Sequence, residues 1–503
     1  MNQSVDTTAI LPEMILGGTI VLVLIVDAFT SPKRKWLAMP ISLIGVVAAL
    51  IATLTLIGET RVTFGGAYVV DDFALLFKTF FLSVALIVLM ISFRYFREGR
   101  FYQGEFYFLL LTSFLGCLMM PSSRDLLMLF ISLELVSAPG FLIAAFRKSD
   151  PRSNEAGIKF FLIGVLSTAV MLYGMSLIYG VTGTLNLSEI GEVLGARAVT
   201  AGTSLVGDYP ALFPAGQEPL VLAAILFIVT GFAFKVSAVP FQFWAPDTYE
   251  GAPVPVAAFL ATASKAAGFA GLLQLMFVAF PAQYEFWTPI FATLSILTMV
   301  IGNFVALQQR QIVRLLAYSS IAQAGYMLLP FTLVSADPTV NASAFAAAVT
   351  YILIYSIMTL GAFAVVVAMS RDARSLQISD FAGLGKRAPV LAVAMTVFMI
   401  SLAGIPPTAG FWGKFLVFKV AIERGEIGIA LAIVMLVTSV VSLYYYLAVP
   451  RQMLFVEPDQ ERRLTAPALV TAVTVLATVA VIAVGLWPEL LAHFPPLATL
   501  VGQ

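Results

Sequence analysis

Uninterrupted apolar runs of about 20 residues, the length of helix that crosses roughly 30 Å of hydrocarbon, recur along the whole chain and decide what it can fold into. No interval between them leaves room for a water-soluble domain. Of the 503 residues, 60% are hydrophobic and only 11% are charged, where soluble domains carry roughly 25% charged residues. In lipid every backbone N–H and C=O must be satisfied inside the segment, so each run reads as a helix. The expected fold class is an all-α polytopic membrane protein, with residues 1–503 forming a single membrane domain.

Taking the runs between charged or Pro/Gly-rich breaks places spans near 10–29, 36–58, 72–93, 105–121, 124–146, 155–181, 219–245, 254–280, 286–307, 312–333, 341–370, 388–422, 428–449 and 464–487, fourteen in all. The distribution of basic residues tests this number independently, because Lys and Arg collect in short cytoplasmic loops. With the N-terminus outside, eighteen fall in inside loops (Lys33, Arg34, Lys35, Arg94, Arg97, Arg100, Arg147, Lys148, Arg152, Arg310, Arg314, Arg371, Arg374, Lys386, Arg387, Arg451, Arg462, Arg463) and four outside (Arg61, Arg124, Arg197, Arg424). One missed span would scramble that alternation, so both termini are expected in the periplasm of a bacterial inner-membrane protein. Met1 to Ile10 holds no Lys or Arg and no small-residue cleavage site follows the first run, so a cleaved signal peptide is not expected.

Several functions are excluded by what is missing. The 28 basic and 28 acidic residues cancel, which implies no nucleic-acid partner. Haem and iron–sulfur centres draw on His and Cys, and a single Cys117 and a single His493 supply too few ligands, so no cofactor is expected in this chain.

Two spans are interrupted by proline at apolar depth. The seventh carries Lys235, Pro240, Pro246, Gly251, Pro253 and Pro255, and the twelfth Gly404, Pro406, Pro407, Gly410, Gly413 and Lys414. Proline removes a donor and frees a carbonyl one turn back, which is tolerated in a membrane only against protein or water, and such broken helices mark ion or substrate pathways. The breaks occupy corresponding places in two five-helix blocks, 105–280 and 286–449, preceded by three helices in 1–104 and followed by one at 464–487. Five is odd, so consecutive blocks enter the membrane from opposite sides and the repeat is inverted. Its residue-level trace is thin: Pro240 and Trp244 in one block, Pro407 and Trp412 in the other. Between the blocks' helices, the long outside loop 182–218 contains an amphipathic piece, Leu187 to Leu194, expected to be a short interfacial helix or ordered loop. The inside loop 371–389 reads as a connector, with partner docking as the alternative.

Six basic residues remain inside spans: Lys78, Lys159, Lys235, Lys265, Lys414 and Lys419. Glu134 lies between Arg124 and Arg147, near mid-bilayer at about 1.5 Å per residue. A charge there costs at least roughly 2.5–3.5 kcal/mol and needs a partner, a cavity or a proton. Lys235 is also deep, one turn before Pro240. Burial disfavours an ammonium while a nearby carboxylate favours it, so a buried Glu–Lys pair can be poised to exchange a proton, and Glu134–Lys235 is the expected pair. Lys265 falls within the small-residue stretch Ala261 to Gly271, which permits close helix approach around a cavity. Lys414 follows the second break. Glu134, Lys235, Lys265 and Lys414 would form a row along the membrane's mid-plane. Lys159, one turn from Glu155, is explained as well by snorkelling as by function. Lys78 reads as an interfacial anchor, Asp27 and Glu13 as helix-end charges, and Lys419 as a residue near an outer exit. No span contains histidine, so protons would move through Lys, Glu, ordered water and hydroxyls such as those of Ser132, Ser137 and Tyr326.

The stretches Arg124-Asp-Leu-Leu with Glu134 following, Phe234 to Pro255 (FKVSAVPFQFWAPDTYEGAPVP), Ala263-Ser-Lys-Ala, and Gly404 to Lys414 (GIPPTAGFWGK) are similar to those of the antiporter-like membrane subunits of respiratory complex I, over essentially the whole chain. That resemblance implies a charge pair at Glu134 and Lys235, a central relay at Lys265, and Lys414 on the route to the periplasm. Lys159 also matches a family lysine. Lysine at 414 points to the subunit N branch rather than to the neighbour with an acid there. Some relatives carry histidine where this chain has Gln242. The implied partners are other complex I membrane subunits, neighbouring antiporter-like subunits above all, with lipids, protons and water, and with flavin and iron–sulfur clusters in other subunits. The implied activity is proton translocation driven by NADH:quinone oxidoreduction elsewhere. A subunit of a multi-subunit sodium/proton antiporter is the alternative. A stand-alone solute transporter lacks a pocket-forming polar cluster, and a redox subunit lacks ligands.

Overall fold

The computed structural model describes residues 5–98, 103–202, 218–371, 375–458 and 464–491. His493, Arg100, Arg374, Arg462 and Arg463 lie outside the described residues. Helices α1 (Leu11–Phe29), α2 (Ala38–Leu54) and α3 (Asp72–Glu98) precede the first block, with a small antiparallel hairpin, β1 (Arg61–Thr63) and β2 (Tyr68–Val70), between α2 and α3. The first block comprises α4 (Gln103–Met119), α5 (Leu126–Ala144), α6 (Pro151–Thr182), α7 (Leu187–Gly202), α8 (Glu218–Lys235), α9 (Trp244–Gly251), α10 (Val254–Phe259) and α11 (Lys265–Gln274). The second comprises α12 (Tyr284–Ala306), α13 (Ile312–Thr332), α14 (Pro338–Met369), α15 (Leu384–Arg387), α16 (Pro389–Ala403), α17 (Ala409–Glu423) and α18 (Glu426–Phe455), and α19 (Ala468–Leu486) closes the bundle.

Among the described residues, twelve helices are long and apolar enough to cross a membrane, and two shorter apolar ones, Pro219–Lys235 and Pro389–Ala403, are the first halves of the broken spans. The fourteen expected spans are thereby accounted for. The amphipathic piece after α6 is helical, as α7. Helix starts follow local chemistry: Asp125 caps α5 by accepting from the N–H groups of Leu127 and Met128, and Asp150 and Asp337 cap α6 and α14 just ahead of Pro151 and Pro338.

The repeat has a backbone signature the sequence did not display. At the start of α5, Leu126 N–H donates to Leu185 C=O (2.9 Å) and Leu187 N–H to Arg124 C=O (2.9 Å). At the start of α13, Ile312 N–H donates to Leu376 C=O (2.9 Å) and Ile378 N–H to Arg310 C=O (2.8 Å). Each block thus pins the entry of its second helix to the chain following its third. The two clasps lie on opposite faces. Arg147, beyond the far end of α5, donates to Gly251 C=O at 2.8 Å, and Arg314, in the first turn of α13, bonds Asp247 of the same helix α9 at 2.8 Å. The second helix of one block therefore ends on the face where that of the other begins, as an inverted repeat requires.

Burial grades inward. The apolar window of Val254–Ala279 is wholly buried and that of α14 is 94% buried, against 33% for α1, α6, α18 and α19, so the helix bearing Lys265 is encased by protein. Two π-helical turns, Leu260–Ser264 and Leu275–Ala279, flank α11, and Lys265 opens α11 directly after the first.

Candidate functional site

Both proline breaks leave the helix as expected, and at each a side chain from the helix that follows bonds a carbonyl of the last turn before the break. After α8 the chain leaves the helical path at Val236, and the Trp244 indole N–H donates to Phe234 C=O at 3.1 Å. After α16, Lys414 Nζ donates to Ala403 C=O at 2.9 Å. Gly404, which ends α16, has φ +87°, and a Cβ there would lie 2.8 Å from Lys414 Cδ, so backbone conformation and lysine proximity both demand glycine.

The three lysines nearest the breaks are 2 to 8% exposed, and neutral oxygens hold each of them. Lys235 Nζ donates to Ser137 Oγ at 3.0 Å. Lys265 Nζ donates to both the carbonyl (2.8 Å) and the hydroxyl (2.5 Å) of Ser320. Lys414 Nζ, besides Ala403 C=O, reaches Ser439 Oγ at 2.8 Å and stands 4.9 Å above the Tyr326 ring. Gly268, one turn after Lys265, lets Lys235 lie against α11: a Cβ at 268 would meet Lys235 Cγ at 2.9 Å. This contact sets the lysines of the seventh and eighth spans side by side.

The expected Glu134–Lys235 ion pair is not made. Lys235, pressed against Gly268 at the end of α8, reaches α5 at Ser137, one turn beyond Glu134, and the hydroxyl takes the ammonium instead. Glu134 keeps one carboxylate oxygen, Oε1, buried without a hydrogen bond.

Between Lys265 and Lys414 runs a buried network of neutral polar groups. From Ser319, beside the Ser320 that holds Lys265, the hydroxyl lies 2.6 Å from Tyr446 Oη, and Gln323 Nε2 donates to Tyr446 Oη (3.0 Å) and to Leu402 C=O (3.0 Å), next to the Ala403 carbonyl that holds Lys414. Tyr351 donates to Gln323 Oε1 at 2.5 Å. Asn303 donates to Tyr326 Oη (3.1 Å) and accepts from Tyr445 (2.9 Å), and Tyr326 donates on to Thr438 Oγ1 at 3.3 Å. Of the hydroxyls expected to take part, Ser137 and Tyr326 touch the row, whereas Ser132 faces Ser123 at 3.1 Å, away from it. Ser319, Gln323 and Tyr326 recur at helical spacing on one face of α13, a polar stripe whose signal in the sequence is its spacing of four and three residues. Beyond Lys414 a cleft of about 280 Å³ opens between Gly404, Phe411, Phe415, Met435 and Ser439.

With this geometry in view, the likeness to known proteins falls into place. A family described as NADH:quinone oxidoreductase/Mrp antiporter, transmembrane, matches residues 123–442, both broken spans included. The chain belongs to that family. It is 40% identical to NADH-quinone oxidoreductase subunit N of Trichlorobacter lovleyi, over 98% of this chain and 96% of that protein. A chain in the structure of respiratory complex I from Thermus thermophilus with bound aureothin superposes with a TM-score of 0.78 at 34% identity, over 96% of this chain and 99% of that one. The Mrp complex from Dietzia sp. DQ12-45-1b has a chain of the same fold (TM-score 0.81) at 20% identity, covering 97% of this chain and 96% of that one.

In this NADH:quinone oxidoreductase/Mrp antiporter family chain, three expectations for charged residues need correction. Lys78 is no interfacial anchor and Glu13 no simple helix-end charge: Lys78 is fully buried, Glu13 is 9% exposed, and they pair at 3.0 Å, with Lys78 Nζ also donating to Tyr68 Oη at 3.0 Å. Burial, and then the Glu13 carboxylate, hold the Tyr68 phenol well above its ordinary pKa, so it stays protonated. Arg124, counted among loop residues, is buried and bonds Asp71 at 2.5 Å, Pro121 C=O at 2.8 Å and Gln274 Oε1 of α11. The hairpin allows this by folding over the ends of α1, α3 and α5. The partners, 65 residues apart for Lys78 and 53 for Arg124, were invisible to local reading.

The remaining charges that the sequence singled out are paired nearer the surface. Lys35 bonds Asp27 at 3.2 Å. Lys419 is exposed beside Glu423 at 3.8 Å. The Lys159 side chain is 42% exposed between Glu155 (2.7 Å) and Asp247 (2.7 Å), the snorkelling geometry rather than that of a buried relay. Among the described residues no group of three or more His, Cys, Asp or Glu side chains is placed to hold a metal.

Proposed function

We propose that this chain is a proton-translocating membrane-arm subunit of NADH:quinone oxidoreductase, in which Glu134, Lys235, Lys265 and Lys414 carry protons from cytoplasm to periplasm. The face of Lys159 and Arg314 is then cytoplasmic, both termini are periplasmic, and the host is a bacterial inner membrane. NADH oxidation and quinone reduction, with their flavin and iron–sulfur clusters, belong to partner subunits, and neighbouring antiporter-like subunits flank this one.

One observation carries the reading: three interior lysines are held only by neutral oxygens, and a chain of buried hydroxyl and amide groups lies between the anchors of two of them, Lys265 and Lys414. Proton loss from such a lysine strands no opposite charge, so the same cage tolerates both states. Ser137 accepts from Lys235 and donates to Leu133 C=O, one turn from Glu134 on the same helix. Moving each proton against 100 mV takes about 2.3 kcal/mol, so access must alternate rather than remain open.

Lys235→Ala and Glu134→Ala, each in the assembled enzyme, are expected to lower NADH-driven proton pumping into inverted vesicles. Undiminished pumping by both would falsify the pathway. The family description also covers the Mrp antiporters, and sodium/proton exchange that persists without NADH dehydrogenase subunits would favour that reading.

A further inference from the structure

The row accounts for the lysines but not for a second set of buried groups beside them. Tyr249, on α9, and Tyr355 and Thr359, one turn apart on α14, are each no more than 2% exposed, and the hydroxyls of all three lack a hydrogen-bond partner. Both phenols face Ser320, whose hydroxyl holds Lys265 Nζ, and Tyr355 faces Thr359, near enough to interact but without closing a hydrogen bond. A buried hydroxyl with no partner costs about 1–3 kcal/mol, and three clustered in one place supply the two to four polar partners that a buried water needs.

The placement of α9 gives this cluster a direction. Two residues before Tyr249, Asp247 bonds Lys159 (2.7 Å) and Arg314 (2.8 Å), and one residue after it Glu250 bonds Arg314 (2.9 Å), all four side chains being 31 to 42% exposed. This eight-residue helix therefore spans from a solvated ionic cluster to a phenol in the interior, the Tyr249 ring being set edge-on against Trp244 at 6.2 Å. On α14 the chain runs from Tyr355 through Thr359 towards Met369, which leads to the same face.

We propose that Tyr249, with Tyr355 and Thr359, forms a water-containing inlet that delivers protons from the Asp247–Arg314 face to Lys265 through Ser320, a branch distinct from Glu134 and Lys235. In each transfer the phenol gives its own proton towards Ser320 as it takes another from water on the outer side of the cluster, so it ends unchanged and only a proton has moved. The inlet rests on the proton-translocation reading above.

The test uses the whole complex in inverted membrane vesicles, with NADH-driven proton uptake measured in H2O and D2O. Tyr249→Phe keeps the ring and its packing and removes only the hydroxyl. It is expected to slow proton uptake on the order of tenfold and to raise the solvent isotope effect. Thr359→Val, which preserves shape, is expected to act in the same direction and serves if Tyr249→Phe impairs assembly. Tyr107→Phe is the control, because that hydroxyl on α4 is equally buried and unpartnered but is not part of the cluster; it should pump as the native enzyme does. Native rates and isotope effects in Tyr249→Phe, or in Thr359→Val if only that variant assembles, overturn the inlet. Lys265→Ala separates the two readings: if it pumps normally the channel itself is refuted, whereas if it fails while Tyr249→Phe pumps normally only the inlet is lost.

Discussion

Lys78 and Lys265 are equally hidden from solvent, yet their surroundings are opposite in kind. Lys78 is locked to the Glu13 carboxylate and a phenol, and Asp71, immediately before the same helix begins, is locked to Arg124. Lys265 has only the hydroxyl and carbonyl of one serine. The N-terminal ion pair is a clamp between α1 and α3, its opposite charges obliged to stay together. A lysine facing neutral acceptors carries no such obligation. The contrast separates a buried charge that faces its opposite from one that faces only neutral groups, which depth in the sequence alone does not do.

The comparison can be broken most directly at the clamp. Lys78→Met should destabilise the subunit by about 3–5 kcal/mol by leaving Glu13 buried without its partner, visible as loss of the subunit from the purified complex or an early thermal transition. Native stability would mean that Glu13 has another partner. Replacing both, Glu13→Leu with Lys78→Met, should recover most of that loss, because a buried pair exchanged for apolar groups is often neutral; a double variant as unstable as the single would refute the clamp. Lys265→Met should behave in the reverse manner, with pumping abolished but stability reduced by less than about 3 kcal/mol, since only the uncharged groups of Ser320 lose a partner. Gly404→Ala should cost about 1–2 kcal/mol from the left-handed backbone and displace Lys414, lowering pumping as well; an unchanged enzyme would show that the turn tolerates a side chain. The smallest effect belongs to Lys159→Met, whose exposed ion pairs contribute little, and a large pumping defect there would restore Lys159 to the pathway.

Much of this was legible in the chain. The alternation of Lys and Arg counted the spans, and Pro240, Pro406 and Pro407 marked the breaks, because both signals arise from interactions with solvent or with the local backbone. Lys235, Lys265 and Lys414 stood out because so few charges enter apolar runs. What stayed hidden was every long-range partnership. Ser137 displaces Glu134 as the partner of Lys235 only because Gly268 fixes where the lysine stem lies. Ser319 meets Tyr446 across 127 residues. Lys78 looked like Lys419, a lysine near a span's end, until the hairpin folded over it.

The way each break is sealed has a mechanical corollary. An indole serves as the latch at Phe234, and its grip is indifferent to protonation. An ammonium serves as the latch at Ala403, and charge-assisted bonds are roughly twice as strong as neutral ones. In the proposed relay the joint in the twelfth span would loosen on each proton release by Lys414, while the joint in the seventh is held by a group that does not titrate.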